Sequence, residues 1–263
     1  MVFFLFLYSF DNYIFDTMKP RKKCRYYNMI IKKITSKQDG LKLEIAIMEC
    51  KNPKGIVQFS HGMAEHKERY FDFMQYLNER GYICVIHDHR GHGGSVKSKN
   101  DYGYFYTENA NYIVDDLFQV TEYVRDMYPG LEVTLFSHSM GTLVARCYLK
   151  KYDEYIRCLI LCGPPTKNSA ASFAVGLAKI IKPFFKEKKG NGLLNKMAFA
   201  GYESANRWLS KNLENVDQYE ADELCGFLFT TNGFINLFQL MIKSFDKKGW
   251  NVTNENLHIF MIA

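Results

Sequence analysis

From Met29 onward the chain alternates short β-branched and aromatic runs with longer stretches of helical period, and few folds satisfy that alternation. Met29–Thr35 and Leu41–Cys50 flank Gln38-Asp39-Gly40 and predict a hairpin. Ile56–Ser60, Tyr82–His87, Val133–Phe136, Ile156–Leu161 and Leu257–Ile262 predict further strands. Residues 66–80, 110–128, 140–152 and 232–246 carry helical spacing; Leu117, Val120, Tyr123, Val124 and Met127 form one such stripe. Gly81 and Pro129-Gly130 punctuate helix ends. Strand–helix alternation gives a mostly parallel sheet with right-handed crossovers and helices on both faces. The predicted class is α/β, and 263 residues suit one such domain.

Charge narrows the partners. The chain carries 34 basic and 28 acidic side chains, a formal net charge of +6. All of that excess falls in residues 1–38, where eight Lys and Arg meet only Asp11 and Asp16. The neutral remainder lacks the basic face that phosphate neutralisation requires, so no nucleic-acid partner is expected. Seven cysteines, at 24, 50, 84, 147, 158, 162 and 225, form no C-x-x-C pair. They read as reduced, buried thiols, which fits a reducing, cytoplasmic location. The apolar start Met1–Tyr8 has no basic flank and falls far short of the ~20 residues of a membrane span. Residues 1–28 are read as an amino-terminal appendage, with Met29 a natural alternative start, ahead of a domain over 29–263.

Residues 164–230 interrupt the alternation. After Pro164-Pro165, Ser169–Lys189 is amphipathic, with Phe173, Leu177, Ile180, Ile181 and Phe184 on one side. Lys179, Lys182, Lys186, Lys188 and Lys189 supply the other, and Pro183 should kink the helix. An insertion over the carboxyl edge of a sheet has the position of a lid. Its apolar side would suit weak contact with a membrane surface.

Chemistry concentrates in three loops. Val133-Thr-Leu-Phe-Ser137-His138-Ser139-Met140-Gly141 runs directly into a helical stretch, giving strand, tight turn and helix. That is the context of a G-x-S-x-G nucleophile elbow, which lifts a serine hydroxyl above the sheet edge, and Ser139 is the candidate nucleophile. Small flanking residues let the two backbones approach; Ser137 replaces the first glycine and adds some crowding. Phe59-Ser60-His61-Gly62-Met63-Ala64-Glu65-His66 follows another strand, and its turn can aim a backbone N–H at the elbow. The N–H groups of Met63 and Met140 would then form an oxyanion hole. The third loop, His87-Asp88-His89-Arg90-Gly91-His92-Gly93-Gly94-Ser95, contains H-x-H-x-x-H. Such spacing can clamp a metal ion, yet Gly91 stands where metallo-β-lactamase-type motifs have an aspartate, and no later ligand cluster matches. The preferred reading is a Gly-rich loop in which Asp88 and Arg90 fix the strand exit. No metal or cofactor is expected.

Together these three ordered loops resemble the monoacylglycerol lipase and lysophospholipase branch of the α/β hydrolases, also called the serine aminopeptidase domain family. Trp208-Leu-Ser-Lys-Asn, Val216-Asp-Gln-Tyr219 and Cys225-Gly-Phe-Leu-Phe229 resemble bacterial members of that branch. The resemblance covers about Met29 to the end. It implies an α/β-hydrolase fold, Ser139 as nucleophile, Met63 and Met140 as oxyanion donors, and residues 164–230 as lid.

The same resemblance implies a Gly-x-x-Asp turn after the next strand and a histidine later still. Leu257–Ile262 looks like that strand, and the chain reads as truncated at its carboxyl end, hence as inactive by itself. His258 is the only histidine after Ser139. It opens its strand, on the order of 20 Å from the carboxyl edge, and cannot serve as the base. Neither His61 nor His138 has an evident carboxylate partner. An apolar lid and a neutral body suit lipid-type esters, monoacylglycerol or lysophospholipid. Two alternatives remain. One is a non-catalytic binding protein. The other is a proline-releasing aminopeptidase using Glu203, Glu214, Glu220, Asp222 or Glu223 to hold an amine.

Overall fold

Near-continuous burial of the central strands, with both faces covered, sets the architecture. The computed structural model describes residues 29–199, 210, 212–251 and 253–262. The appendage 1–28 and the residues Glu203 and Trp208 lie outside them. Strands β1 (Met29–Thr35), β2 (Lys42–Met48), β3 (Gly55–Ser60), β4 (Tyr82–His87), β5 (Val133–His138), β6 (Cys158–Cys162) and β7 (His258–Ile262) form one sheet. Its order is β1-β2-β4-β3-β5-β6-β7. The β1–β2 hairpin pairs Met29 with Met48, and β2 also runs antiparallel to β4. All other pairings are parallel. The helices are α1 (Phe71–Asn78), α2 (Asn111–Met127), α3 (Met140–Tyr152), α4 (Ala171–Ile181), α5 (Gly192–Ala198), α6 (Leu213–Ala221) and α7 (Thr231–Phe245).

Ile45, Ile47, Ile83, Val85, Leu135 and Leu159 join one core with buried residues of α2, α3 and α7. Their neighbours Ala46, Met48, Cys84, Ile86, Phe136 and Cys158 join the other, with α1. In that second core Phe59, Phe73 and Phe136 pack with ring centroids 5.4–5.6 Å apart. Burying each such side chain contributes roughly 1.5–3 kcal/mol. Strand order reverses at β3, which lies between β4 and β5. The loops leaving β3 and β5 therefore emerge side by side at the carboxyl edge, where open α/β sheets bind ligands.

Several expectations shift. Residues 66–80 divide into a 3-10 turn, Lys67–Tyr70, and α1. Pro183 does not kink α4; the helix ends at Ile181 and Pro183 opens the 3-10 turn Lys182–Phe184, where its missing N–H is harmless. The small side of α4 faces inward. Ala171, Ala174 and Ala178 are buried, and α4 packs on α7 through small side chains. The large residues Phe173, Ile180 and Phe184 are 68%, 70% and 84% exposed. On the edge strand β7, Phe260 and Ile262 pack on the α1-side core while Ile259 and Met261 are exposed. His258 pairs with Cys158, at the end of β6 opposite Cys162. Cys162 accepts the Ser139 N–H at 3.0 Å. Four residues separate these ends, about 13 Å along the strand, which is shorter than expected but leaves His258 at the far edge.

The loop after β4 is a buried polar floor. Asp88 accepts the Lys67 N–H at 2.7 Å, Lys67 Nζ at 2.8 Å and the Gly94 N–H at 2.8 Å. Burial alone would raise the Asp88 carboxyl, but Lys67 outweighs it and holds the pKa below the ordinary value. Arg90 donates to Asp116 at 2.8 Å, to Asp39 at 2.9 Å and to the Phe105 carbonyl at 3.0 Å. Replacing Arg90 with methionine would strand the fully buried Asp116 carboxylate. Unfolding in urea should show Arg90→Met less stable by about 3–5 kcal/mol; a loss under ~1 kcal/mol would contradict this account.

Candidate active site

Strand β5 ends at His138 and α3 begins at Met140, so Ser139 makes the turn alone. Its backbone sits at φ 49°, ψ −118°, a conformation that costs an L residue roughly 1–3 kcal/mol. Three hydrogen bonds hold it there. Its N–H donates to Cys162, as above, and its carbonyl accepts the Thr142 hydroxyl at 2.7 Å and the Thr142 N–H at 2.9 Å. Gly141 must be glycine because a Cβ there would lie 2.1 Å from the Ser60 carbonyl oxygen. Ser137 does more than crowd the elbow. Its buried hydroxyl donates to the Ile160 carbonyl at 2.9 Å and ties β5 to β6.

The turn after β3 touches this elbow. A Cβ on Gly62 would stand 3.3 Å from the Ser139 Cβ and 3.1 Å from His138 Nδ1. Met140 is the first residue of α3, so its N–H has no partner inside the helix. The half-buried Met63 lies between two committed amides. Gly62 N–H donates to Glu65, and Ala64 N–H donates to His92 Nε2 at 3.3 Å. Ser139, Met140 and the 61–65 turn are thus brought together.

Glu65 holds that turn, a role its place in the sequence does not announce. It is buried, and its Oε1 accepts from the Gly62 N–H and from the Tyr70 hydroxyl at 2.8 Å. The same oxygen is 3.3 Å from His138 Nδ1, and Oε2 accepts from Arg69 Nε at 3.2 Å. His138 therefore does have a carboxylate partner, contrary to expectation. Burial would raise the Glu65 pKa, but His138 and Arg69 hold it well below the ordinary carboxylate range.

Four other histidines form a buried cluster under the site. His61 Nδ1–H donates to the Gly62 carbonyl at 2.8 Å while its Nε2 accepts the His89 N–H at 2.9 Å. His92 repeats the pattern, donating from Nδ1 to the Arg90 carbonyl at 3.0 Å and accepting from Ala64. Both rings are fixed as single neutral tautomers. His89 Nε2 lies 2.9 Å from the Ser60 hydroxyl. Ring centroids of His61–His89, His87–His89 and His61–His92 are 4.4, 4.6 and 5.1 Å apart. Burial lowers the His61 and His89 pKa values and brings His87 and His92 down to about 3. The H-x-H-x-x-H loop is thus packed interior. Among the described residues, the His, Cys, Asp and Glu donors that converge are those of His66, Asp222 and Cys225.

The depressed Glu65 pKa has a thermodynamic sign. Its contribution is complete above the unfolded value of 4.5 and is lost as pH falls through the lower folded value. Glu65→Gln should cost about 2–3 kcal/mol in urea unfolding at pH 7, and the gap should narrow below that unfolded value. A gap independent of pH would contradict the assignment.

Comparison with known proteins supplies the kinship. The family described as serine aminopeptidase, S33, matches residues 51–249. Monoglyceride lipase of Homo sapiens is 29% identical over 175 residues, 65% of this chain and 52% of its own length. The probable lysophospholipase L2 of Haemophilus influenzae is 30% identical over 104 residues, 40% of this chain and 33% of its own length. A thermostable carboxyl esterase from Bacillus coagulans, solved with glycerol, superposes with a TM-score of 0.73. That match covers 81% of this chain and 72% of the esterase at 23% identity, a likeness of fold. The chain spans about half the length of the human relative, or less of the bacterial one. With its parallel sheet, Gly62 turn and Ser139 elbow, the chain belongs to the serine aminopeptidase S33 family of α/β hydrolases.

Proposed function

We propose that this chain supplies the nucleophile and oxyanion donors of a serine hydrolase acting on lipid-type carboxylic esters, monoacylglycerol or lysophospholipid. The observation that carries the reading is Ser139 at positive φ, in contact with the Gly62 turn. Ser139 Oγ attacks the ester carbonyl, and the N–H groups of Met63 and Met140 stabilise the resulting oxyanion. The alcohol departs with a proton, leaving an acyl ester on Ser139 that water then hydrolyses. The names of the human and Haemophilus relatives support a lipid-type ester.

The base is the weak element. His61 and His92 spend both ring nitrogens on the backbone, His87 and His89 are buried, and His138 faces Glu65. Loss of a triad histidine costs on the order of a millionfold in turnover. Oxyanion stabilisation and binding would leave ~10³–10⁴-fold over water. The chain by itself is therefore a slow hydrolase.

Exposed Phe173, Ile180 and Phe184 beside Lys179, Lys182 and Lys186 support the 164–230 insertion as a lid in weak contact with a membrane surface. No described helix is long and apolar enough to cross a membrane. The six cysteines among the described residues are free, which supports a reducing, cytoplasmic setting. The aminopeptidase reading draws less support, since Asp222 is bonded to His66 while Glu214, Glu220 and Glu223 are exposed.

An alkyl fluorophosphonate tests the nucleophile. Peptide mapping should place its adduct on Ser139 and find none in Ser139→Ala. Labelling should be slow, since no histidine is free to activate the serine; an adduct on another residue, or an equal yield from Ser139→Ala, would overturn the proposal.

A further inference from the structure

His66 closes the turn after β3, while Asp222 and Cys225 follow α6 in the insertion. Folding joins these distant segments: His66 Nε2 lies 2.9 Å from Asp222 Oδ2. One donor atom from each of His66, Asp222 and Cys225 lies within 4.8 Å of the other two. His66 and Cys225 are buried, and Asp222 sits at the rim. Nitrogen, oxygen and sulfur converging in this way is a donor set for zinc, not for magnesium or calcium.

A second observation points the same way. The other ring nitrogen of His66, Nδ1, is buried with no hydrogen-bond partner. It stands 3.9 Å from Glu68 Oε2. A metal-bound histidine ordinarily donates its free N–H to a carboxylate, which orients the ring and raises its basicity. Glu68 is placed to take that N–H once Nε2 is held by a cation.

We propose that His66, Asp222 and Cys225 form a site for one zinc-class divalent cation, with water in the fourth position. Tetrahedral zinc holds such donors ~2.0–2.3 Å away, hence ~3.3–3.8 Å from each other. Movements of about 1 Å or less would bring the three atoms to that spacing. On binding, the Cys225 sulfur gives up its proton to solvent and donates a lone pair to the cation. The Asp222 carboxylate and the thiolate then balance the two positive charges. Arg69, paired with Glu65 through Nε, also hydrogen-bonds the Cys225 sulfur, a bond that the cation would replace.

The site would fasten the insertion to the turn that carries Met63. That contact is already prepared: Ala64 accepts the Gly226 N–H at 2.9 Å and the Tyr219 hydroxyl at 3.0 Å. The site is independent of Ser139 chemistry and can be tested without an activity assay.

Equilibrium dialysis of the purified chain with zinc should give one ion per chain. Cobalt(II) in its place should show a thiolate-to-metal charge-transfer band. Cys225→Ser and His66→Gln should each abolish that band and weaken zinc at least tenfold, and Glu68→Gln should weaken it about tenfold. Zinc should raise the Tm of the unaltered chain but not of Cys225→Ser. Circular dichroism in chelator checks that the variants fold, and Asp222→Asn, at the half-buried position, supplies a ligand change that leaves the core untouched. Cys50→Ser should keep both band and affinity. The proposal is overturned if the unaltered chain binds no stoichiometric zinc, if Cys225→Ser retains the band, or if Cys50→Ser loses it.

Discussion

The backbone of α3 passes directly against the end of β3, so close that the Ser60 carbonyl oxygen occupies space a side chain at 141 would need. Most of the site follows from that contact. A helix starting so near its neighbouring strand leaves the chain a single residue in which to turn, and Ser139 takes up the positive φ that results. The strain is held in place by Cys162 on one side and Thr142 on the other. It also brings Gly62 against Ser139, so two loops from strands far apart in sequence become one surface.

Beneath that surface the interior is polar. Lys67, Asp88, Arg90 and Asp116 are all buried, and each meets an opposite charge at hydrogen-bond distance. The histidines among them avoid the desolvation cost of a charge by staying neutral; His61 and His92 bond to backbone through both ring nitrogens, while those of His87 have no partner. The ion pairs and the doubly bonded His61 and His92 make this floor rigid. Bonding withholds His61 and His92 from proton transfer, and burial withholds His87 and His89.

Much of this was legible from period and local context. Short β-branched and aromatic runs predicted the central strands, and strand–turn–helix around Ser139 located the elbow, because both are encoded by neighbouring residues. What was not legible depends on residues far apart in the chain. Helix α4 is inward on its alanines because α7 lies close to it, a contact that the sequence of 169–189 alone does not announce. Glu65 looks like an ordinary loop carboxylate until Tyr70, Arg69 and His138 fold around it. Ser137 was read as crowding alone because its acceptor, Ile160, belongs to another strand. Nothing in the spacing of His66 and Asp222 reveals that their side chains meet.

The central claim is that a well-formed elbow here lacks a free histidine to activate it. Ester hydrolysis by this chain and by its Ser139→Ala variant, at equal purity and with a medium-chain monoacylglycerol, tests that most directly. Equal rates near background are predicted. A rate at least a hundredfold above the variant would contradict the account and turn attention to His138, the ring that Glu65 orients beside the serine.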